Sequence, residues 1–163
     1  MLIVGPGTGI GVVMNLRHKL GDKYETVVMK SEGGHISPGP SNDFDLEAHR
    51  FLKKYNNYKE NEPVRTEFFC SGIGLKGLYT YIKQSLPSLE EANTILEKKD
   101  SFGGKEIFDG AIMEKNEICQ KTLNHFIHYL ALSCQNYCAT VIPTELVIVG
   151  GIASYVRNEF INF

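Results

Sequence analysis

The stretch GPGTGIG, residues 5 to 11, contains four glycines and follows a short apolar run, Leu2 to Val4. Because glycine has no Cβ, its backbone N–H groups can come within hydrogen-bonding distance of a ligand. Phosphate oxygens are the usual ligands, since several N–H dipoles can converge on one anion. Thr8 adds a hydroxyl donor in the middle of the stretch. The alternative interpretation is a tight turn at the entry to a hairpin. A Walker P-loop is excluded, because its G-x-x-x-x-G-K-[ST] pattern is absent from the chain.

The residues after this stretch predict a hairpin. GVVMNL and YETVVMKS are both rich in β-forming residues, and Gly21-Asp22 between them is turn material. The glycine stretch is expected at the mouth of this hairpin.

The rest of the chain alternates between helical and strand patterns. ELVIVGG is an uninterrupted apolar run, typical of a strand that is buried on both faces of a sheet. The long segment from Ala111 to Ile142 lacks glycine and proline and predicts the longest helix. The other predicted elements are a helix from about Asp43, a strand RTEFFCSG, a helix LKGLYTYIKQSL, a helix from a capping box at Ser88–Glu91 to about Lys99, and a final helix that begins in SYVRNEFINF. Alternating strands and helices after a hairpin predict an α/β fold with a mixed sheet.

Composition limits the class of protein. The 163 residues are enough for one domain, and 42% of them are apolar and 22% charged, as in an ordinary globular protein. A net charge of -2 predicts no nucleic-acid partner, and no apolar stretch reaches the roughly 20 residues that would cross a membrane. The four cysteines show no C-x-x-C spacing, which predicts reduced core thiols, no metal site and a cytoplasmic protein.

Two further glycine sites are candidates for ligand binding. SGIGLKG, residues 71 to 77, fits G-x-G-x-x-G and would open a helix after a predicted strand, as in a dinucleotide-binding fold. The acidic residues about 20 positions later, Glu90 and Glu91, fall in a helical pattern rather than at a strand end, which argues against that interpretation. VIVGGIA, residues 147 to 153, brings bare backbone to the carboxyl edge of the sheet, or provides close strand-to-helix packing.

Polar residues after the hairpin form a second group of candidates. In SEGGH, the pair Gly33-Gly34 allows an irregular backbone, so that Glu32 and His35 can face one pocket. Glu67 would lie inside the predicted strand, where a buried carboxylate needs hydrogen-bond donors. Sugar hydroxyls are such donors, although an outward-facing edge position would also explain this glutamate.

Four stretches in this order, GPGTGIG, SEGGH, EFFCSGIGL and VIVGGIA, resemble the bacterial-type glucokinase family of the actin-like, hexokinase-type ATPases. The resemblance covers essentially the whole chain and corresponds to the larger, C-terminal domain of a glucokinase, so that residues 1–163 would be a single partial domain. It implies an actin-like (ribonuclease H-like) fold, ATP and Mg²⁺ as cofactors, and transfer of the γ-phosphate of ATP to the 6-hydroxyl of glucose. No zinc-binding C-x-C-G follows His35, which favours the glucokinase branch over the related repressor and sugar-kinase family.

The resemblance also implies roles for individual residues. Glu32, His35 and Glu67 would contact the sugar, and Gly72 and Gly74 would shape a turn beside the nucleotide. The nucleotide contacts would come from the phosphate motif and the adenosine motif, which comprise Gly5, Gly7, Thr8, Gly9, Gly150 and Gly151.

Departures from the family pattern matter for activity. The family's first phosphate motif and the aspartate that acts as general base would precede Met1, and a late glycine motif would follow Phe163. The sequence therefore predicts a fragment without a catalytic base, which has no detectable turnover by itself. A non-catalytic sugar-binding or interaction module is the alternative function, and a dinucleotide-dependent oxidoreductase is a third. Members of the family often form homodimers, which the resemblance extends to this chain as an expectation.

Overall fold

A four-stranded mixed sheet organises the computed structural model, which describes residues 1–86 and 103–158. The strands are β1 (Leu2–Pro6), β2 (Ile10–Leu20), β3 (Lys23–Ser31) and β4 (Leu146–Ile148), in the order β3-β2-β1-β4. β2 pairs antiparallel with β1 and β3, whereas β4 pairs parallel with β1. The predicted hairpin and mixed sheet are confirmed. The glycine stretch supplies the turn between β1 and β2.

Six helices are described, together with a 3₁₀ turn at Gly33–His35. They are α1 (Asp43–Tyr55), α2 (Glu67–Cys70), α3 (Gly72–Ser85), α4 (Gly104–Ile112), α5 (Glu117–Val141) and α6 (Gly151–Tyr155). α5 is the predicted long helix, but it begins at Glu117, where the Asn116 side chain accepts a hydrogen bond from the Cys119 amide. The predicted helix from Ser88 lies outside the described residues. α6 begins at Gly151, and the second half of the predicted final helix in SYVRNEFINF lies outside the described residues.

One continuous hydrophobic core joins the sheet to the helices. Leu2, Val4 and Val12 bring the sheet into this core, and aromatic side chains fill much of it, with Tyr79, Tyr129, Phe69 and Phe126 fully buried. The predicted core thiols are confirmed for Cys70, Cys119 and Cys134, while Cys138 is half-buried. Burial raises the pKa of Cys119 to about 12, so this thiol stays protonated.

The segment RTEFFCSG is not a strand. Residues Glu67–Cys70 form the short helix α2, and Phe68, Phe69 and Cys70 are all buried. A short apolar run that is buried on every side has no periodicity that separates a strand from a helix. The interpretation of Glu67 as a strand residue is therefore wrong, since Glu67 is the first residue of α2.

The prediction that ELVIVGG is buried on both faces is also wrong. β4 contains only Leu146–Ile148, and within the described residues it pairs with β1 alone, at the edge of the sheet. Leu146 and Ile148 are 38% and 36% exposed, whereas Leu2 and Val4 on the neighbouring β1 are 2% and 0% exposed. An edge strand can carry an apolar sequence without the burial that a central strand receives.

A buried carboxylate connects α1 with α5. Asp45 is fully buried, and its carboxylate accepts hydrogen bonds from the Ser41 amide (3.0 Å) and the Tyr129 hydroxyl (2.8 Å), with His128 at 3.6 Å. Burial alone would raise the pKa of Asp45, but the hydrogen bonds and His128 outweigh it and leave the pKa below its ordinary value. α1 begins at Asp43, as predicted, and the residue that caps it is Asn42, whose side chain accepts from the Asp45 amide at 2.9 Å.

His49 lies beside this carboxylate in its neutral form. Its Nδ1 is 2.7 Å from the Asp45 carbonyl oxygen, which can only accept, so Nδ1 carries the proton. The other ring nitrogen is buried without a hydrogen-bond partner. Burial lowers the pKa of both His49 and His125 below 6.5. The nearby Asp45 carboxylate raises these two pKa values, but by less than burial lowers them.

Among the described residues, no helix combines the length and the apolar character needed to cross a membrane.

Replacing Gly74 with alanine should displace α2 from α3. A Cβ at Gly74 would lie 2.3 Å from the Phe68 carbonyl oxygen, and backbone cannot move aside as a flexible side chain can. We expect a loss of about 1–3 kcal/mol or more in the free energy of unfolding, measured by urea titration. Gly11→Ala is the matched control, because its nearest atom would be 4.0 Å away. Equal losses in the two variants would contradict this packing.

The free energy of unfolding should fall between pH 7.5 and pH 5.5. His49 and His125 have folded pKa values below 6.5, so the unfolded chain binds more protons, and their contribution is lost as the pH falls through 6.5. The double variant His49→Gln/His125→Gln should show a shallower dependence in urea titrations at the two pH values. Thr26→Gln, on the exposed strand β3, removes no titratable group and should keep the original slope. An unchanged slope in the double variant would refute this assignment.

Candidate functional site

The glycine turn between β1 and β2 rests on the first turn of α3. The Gly72 amide donates to the Gly7 carbonyl (2.7 Å), and the Ile73 amide donates to the Thr8 carbonyl (3.1 Å). A Cβ at Gly72 would lie 3.2 Å from the Gly7 oxygen, so glycine permits this approach. The first amides of α3 are thus used by the turn, and the turn is fixed relative to the helix.

A cavity of about 490 Å³ opens beside this turn. The three glycine turns that the sequence singled out all reach it, through Gly7 and Thr8, Gly72, and Gly151. The described residues that line it are Gly7, Thr8, Gly72, Leu75, Gly104, Lys105, Phe108, Gly151, Ile152 and Tyr155. The structure therefore brings these turns together at one place.

The remaining nucleotide candidates do not line this cavity. Gly5 belongs to β1, where a Cβ would lie 3.4 Å from the Val149 side chain. Gly150 has a φ of +104°, and a Cβ there would lie 3.2 Å from the Pro6 carbonyl oxygen, so this position requires glycine for the backbone turn. Gly74 packs under α2, and Gly9 lies next to the Glu67 carboxylate. None of these four glycines is among the described residues that line the cavity.

Part of the cavity comes from α4 and from Tyr155 of α6, which sequence analysis did not assign to the site. Gly104, Lys105 and Phe108 come from α4, and Tyr155 comes from α6, where its hydroxyl donates to the Asp109 carboxylate. The signal that could have been used is the pair Gly103-Gly104 just before a helical pattern, a fourth glycine turn in the chain.

Glu32, His35 and Glu67 meet in a second group, the acceptor cluster. His35 Nδ1 is 3.1 Å from a Glu32 carboxylate oxygen, and His35 Nε2 is 3.6 Å from a Glu67 carboxylate oxygen. The Glu32 side chain is 86% exposed, whereas that of Glu67 is only 13% exposed. Arg65, which sequence analysis missed, lies 3.5 Å from Glu67 and provides the donor that this buried carboxylate needs.

Local backbone positions the acceptor cluster. A Cβ at Gly34 would lie 2.4 Å from the Ile10 carbonyl oxygen, and one at Gly33 would lie 2.8 Å from the Val12 side chain. The Gly-Gly pair therefore allows the 3₁₀ turn to press against β2 and to direct His35 towards Glu67. The Tyr137 hydroxyl donates to the Gly33 carbonyl at 2.8 Å and ties the turn to α5.

The cavity and the acceptor cluster share the glycine turn. Gly7 and Thr8 line the cavity, while a Cβ at Gly9 would lie 3.0 Å from a Glu67 carboxylate oxygen. The Gly7 amide already donates to the Gly9 carbonyl at 2.8 Å, so the Thr8 amide and hydroxyl remain on this side of the turn to suit an anion. Carboxylates that accept from hydroxyls suit a polyol on the other side.

The helix before Gly72 also bears on the dinucleotide interpretation of SGIGLKG. A dinucleotide fingerprint connects a strand to a helix within a βαβ unit. Here the glycines follow the helix α2 instead of a strand. The amides at the start of α3 already donate hydrogen bonds to the carbonyls of Gly7 and Thr8. This context does not support the oxidoreductase alternative.

Comparison with known proteins agrees with the fold and identifies a family. The family model for glucokinase matches residues 1–162. The curated glucokinase of Nostoc punctiforme is 26% identical over 163 residues, which cover 93% of this chain and 46% of the relative. The glucokinase of Neisseria meningitidis strain FAM18 is 29% identical, over 97% of this chain and 43% of the relative.

Solved structures show the same architecture. Glucokinase from an Antarctic psychrotroph matches with a TM-score of 0.75 and 25% identity, over 99% of this chain and 45% of that one. A glucokinase of the ROK family from Streptomyces griseus was solved with glucose and AMPPNP. It matches with a TM-score of 0.58 and 17% identity, over 99% of this chain and 48% of that one. At this identity the match supports the fold alone. The expected actin-like α/β fold is confirmed. The chain spans about half the length of the relatives it matches, and it belongs to the glucokinase family.

Proposed function

We propose that this chain forms the larger, C-terminal domain of an ATP-dependent glucokinase, which transfers the γ-phosphate of ATP to the 6-hydroxyl of glucose. The observation that carries this proposal is the approach of Gly9 to Glu67, which places a glycine-lined cavity directly beside an acceptor cluster. Phosphoryl transfer requires the terminal phosphate and the attacking hydroxyl to be adjacent. A single turn that borders both sites meets this requirement.

The cavity fits a nucleotide. Its lining includes four glycines, and a Cβ at Gly151 would meet nothing within 4 Å, so open space lies next to that backbone. The Thr8 hydroxyl and the bare backbone of the turn can bind phosphate oxygens, while Leu75, Phe108 and Ile152 offer apolar surface for a base. The residues of the phosphate motif and the adenosine motif would thus act from two sides of one cavity.

The acceptor cluster fits a hexose. Glu67 is largely buried. One of its carboxylate oxygens accepts a hydrogen bond from Arg65, and the other lies towards Gly9, at the boundary with the cavity. Glu32 is mostly exposed and can accept from a sugar hydroxyl, with His35 between the two carboxylates. Carboxylates can accept hydrogen bonds from two vicinal hydroxyls at once.

The chain's contribution to catalysis would be alignment. The glycine turn would hold the terminal phosphate, and Glu32, His35 and Glu67 would orient the sugar so that its hydroxyl points at that phosphate. Mg²⁺ would neutralise charge on the phosphates; in such sites it is held by the substrate phosphates and only one or two carboxylates. We assign the general base to no residue of this chain. ATP and glucose as substrates favour a cytoplasmic location.

The non-catalytic sugar-binding module remains the second candidate, because the acceptor cluster would bind a sugar whether or not a nucleotide is present. Purified residues 1–163 should bind both glucose and ATP in isothermal titration calorimetry. Without a general base, which typically contributes about 10²–10⁴-fold, we expect turnover of glucose with MgATP below detection in a coupled assay. Glucose binding without ATP binding would favour the second candidate, and a chain that binds neither ligand would overturn both.

Substitutions should separate the two halves of the site. Glu32→Gln or His35→Ala should raise the Kd for glucose about tenfold and leave the Kd for ATP within about twofold, since each removes a hydrogen-bonding group on the sugar side. Thr8→Val should have the reverse effect. His18→Ala and Glu25→Gln are matched controls, because these residues form an exposed pair at 3.7 Å on the hairpin. Equal effects on the two ligands would contradict the division.

A further inference from the structure

Lys105 is the one cationic side chain among the residues that line the described cavity. It is the second residue of α4 and is exposed. Within residues 1–86 and 103–158 it takes part in no ion pair or hydrogen bond of its side chain. By contrast, Lys121 on α5 lies 3.6 Å from Glu117, and Arg65 lies 3.5 Å from Glu67. An unpaired ammonium group at a cavity is available to an anionic ligand.

The packing of α4 fixes the position of the Lys105 backbone relative to the cavity. A Cβ at Gly104 would lie 3.3 Å from the Leu75 side chain, so the first turn of α4 rests on the first turns of α3. Gly72, three residues before Leu75, is the residue that holds the Gly7 carbonyl. Phe108, one turn further along α4, lines the same cavity. Lys105 is therefore carried by a helix that is packed against the support of the glycine turn.

The charge of the described cavity lining is positive. None of the ten described residues that line it is acidic, and among them Lys105 alone carries a formal charge. Asp109 lies close to the rim, where it accepts from the Tyr155 hydroxyl. A ligand with several negative charges would gain more from this lining than a neutral ligand of the same shape.

We propose that Lys105 binds the phosphate chain of the nucleotide, at the phosphates that ATP and ADP share, and thereby selects nucleotides over nucleosides. This inference rests on the proposed function. The terminal phosphate must lie beside the acceptor cluster, which the turn meets at Gly9, whereas the cavity that Lys105 lines does not include Glu32, His35 or Glu67. Lys105 is thus a specificity-determining residue, and its contact is the same before and after transfer.

The test compares Lys105→Gln with the unaltered chain in calorimetric titrations with ATP, ADP and adenosine. We expect the Kd values for ATP and ADP to rise by about tenfold each, as for the loss of one charge-assisted contact, with the Kd for adenosine unchanged. Lys105→Arg should retain most of the affinity for ATP, because it keeps the charge. Lys54→Gln, an exposed lysine on α1, is the matched control and should match the unaltered chain. If Lys105→Gln has a lower Tm than the unaltered chain, the titrations use Lys105→Met instead, because methionine keeps the apolar stem of the side chain.

Each other outcome overturns the inference. Unchanged affinity for ATP in the neutral variants would show that the charge makes no contact. An equal loss for adenosine would assign Lys105 a packing role, and a loss for ATP alone would place it at the terminal phosphate. Glucose binding by the same variants separates this inference from the proposed function. If glucose and ATP still bind to the unaltered chain and the neutral variants bind ATP equally well, the inference fails and the proposed function stands.

Discussion

Two hydrogen bonds from the start of α3 to the carbonyls of Gly7 and Thr8 connect the sheet to the helices at the site. They satisfy amides that a helix start otherwise leaves without a partner. They also fix the glycine turn, which borders the cavity on one side and Glu67 on the other. The position of α2 follows from the same constraint, because Gly74 lets α2 pack closely on α3 and so holds Glu67 beside Gly9. Both halves of the site therefore depend on this junction.

Much of the site could be predicted from glycine spacing. The three turns around Gly7, Gly72 and Gly151 were singled out because bare backbone has few purposes other than tight turns and close approach to a ligand. The structure places all three at one cavity, and it brings Glu32, His35 and Glu67 into contact. The hairpin and the long helix were also predictable, since their turn residues and apolar periodicity are strong local signals.

What the sequence could not provide depends on contacts between distant segments. The apolar run EFFC has no periodicity that distinguishes a strand from a helix, and only packing against α3 determines its helical form. β4 has the composition of a central strand but is partly exposed at an edge of the described sheet. Arg65 and Lys105 were missed because a single cation has no pattern, and its role appears only when the fold shows which group it faces.

The turn at residues 7–9 has a consequence for the thermodynamics of the two ligands. These residues lie between the cavity and Glu67, so a proposed ligand that orders or displaces them on one side would alter the environment on the other side. A first ligand that orders the segment reduces the conformational entropy that the second must still lose. Because such coupling is reciprocal, the factor by which a bound sugar would change nucleotide affinity would have to equal the factor by which a bound nucleotide would change sugar affinity.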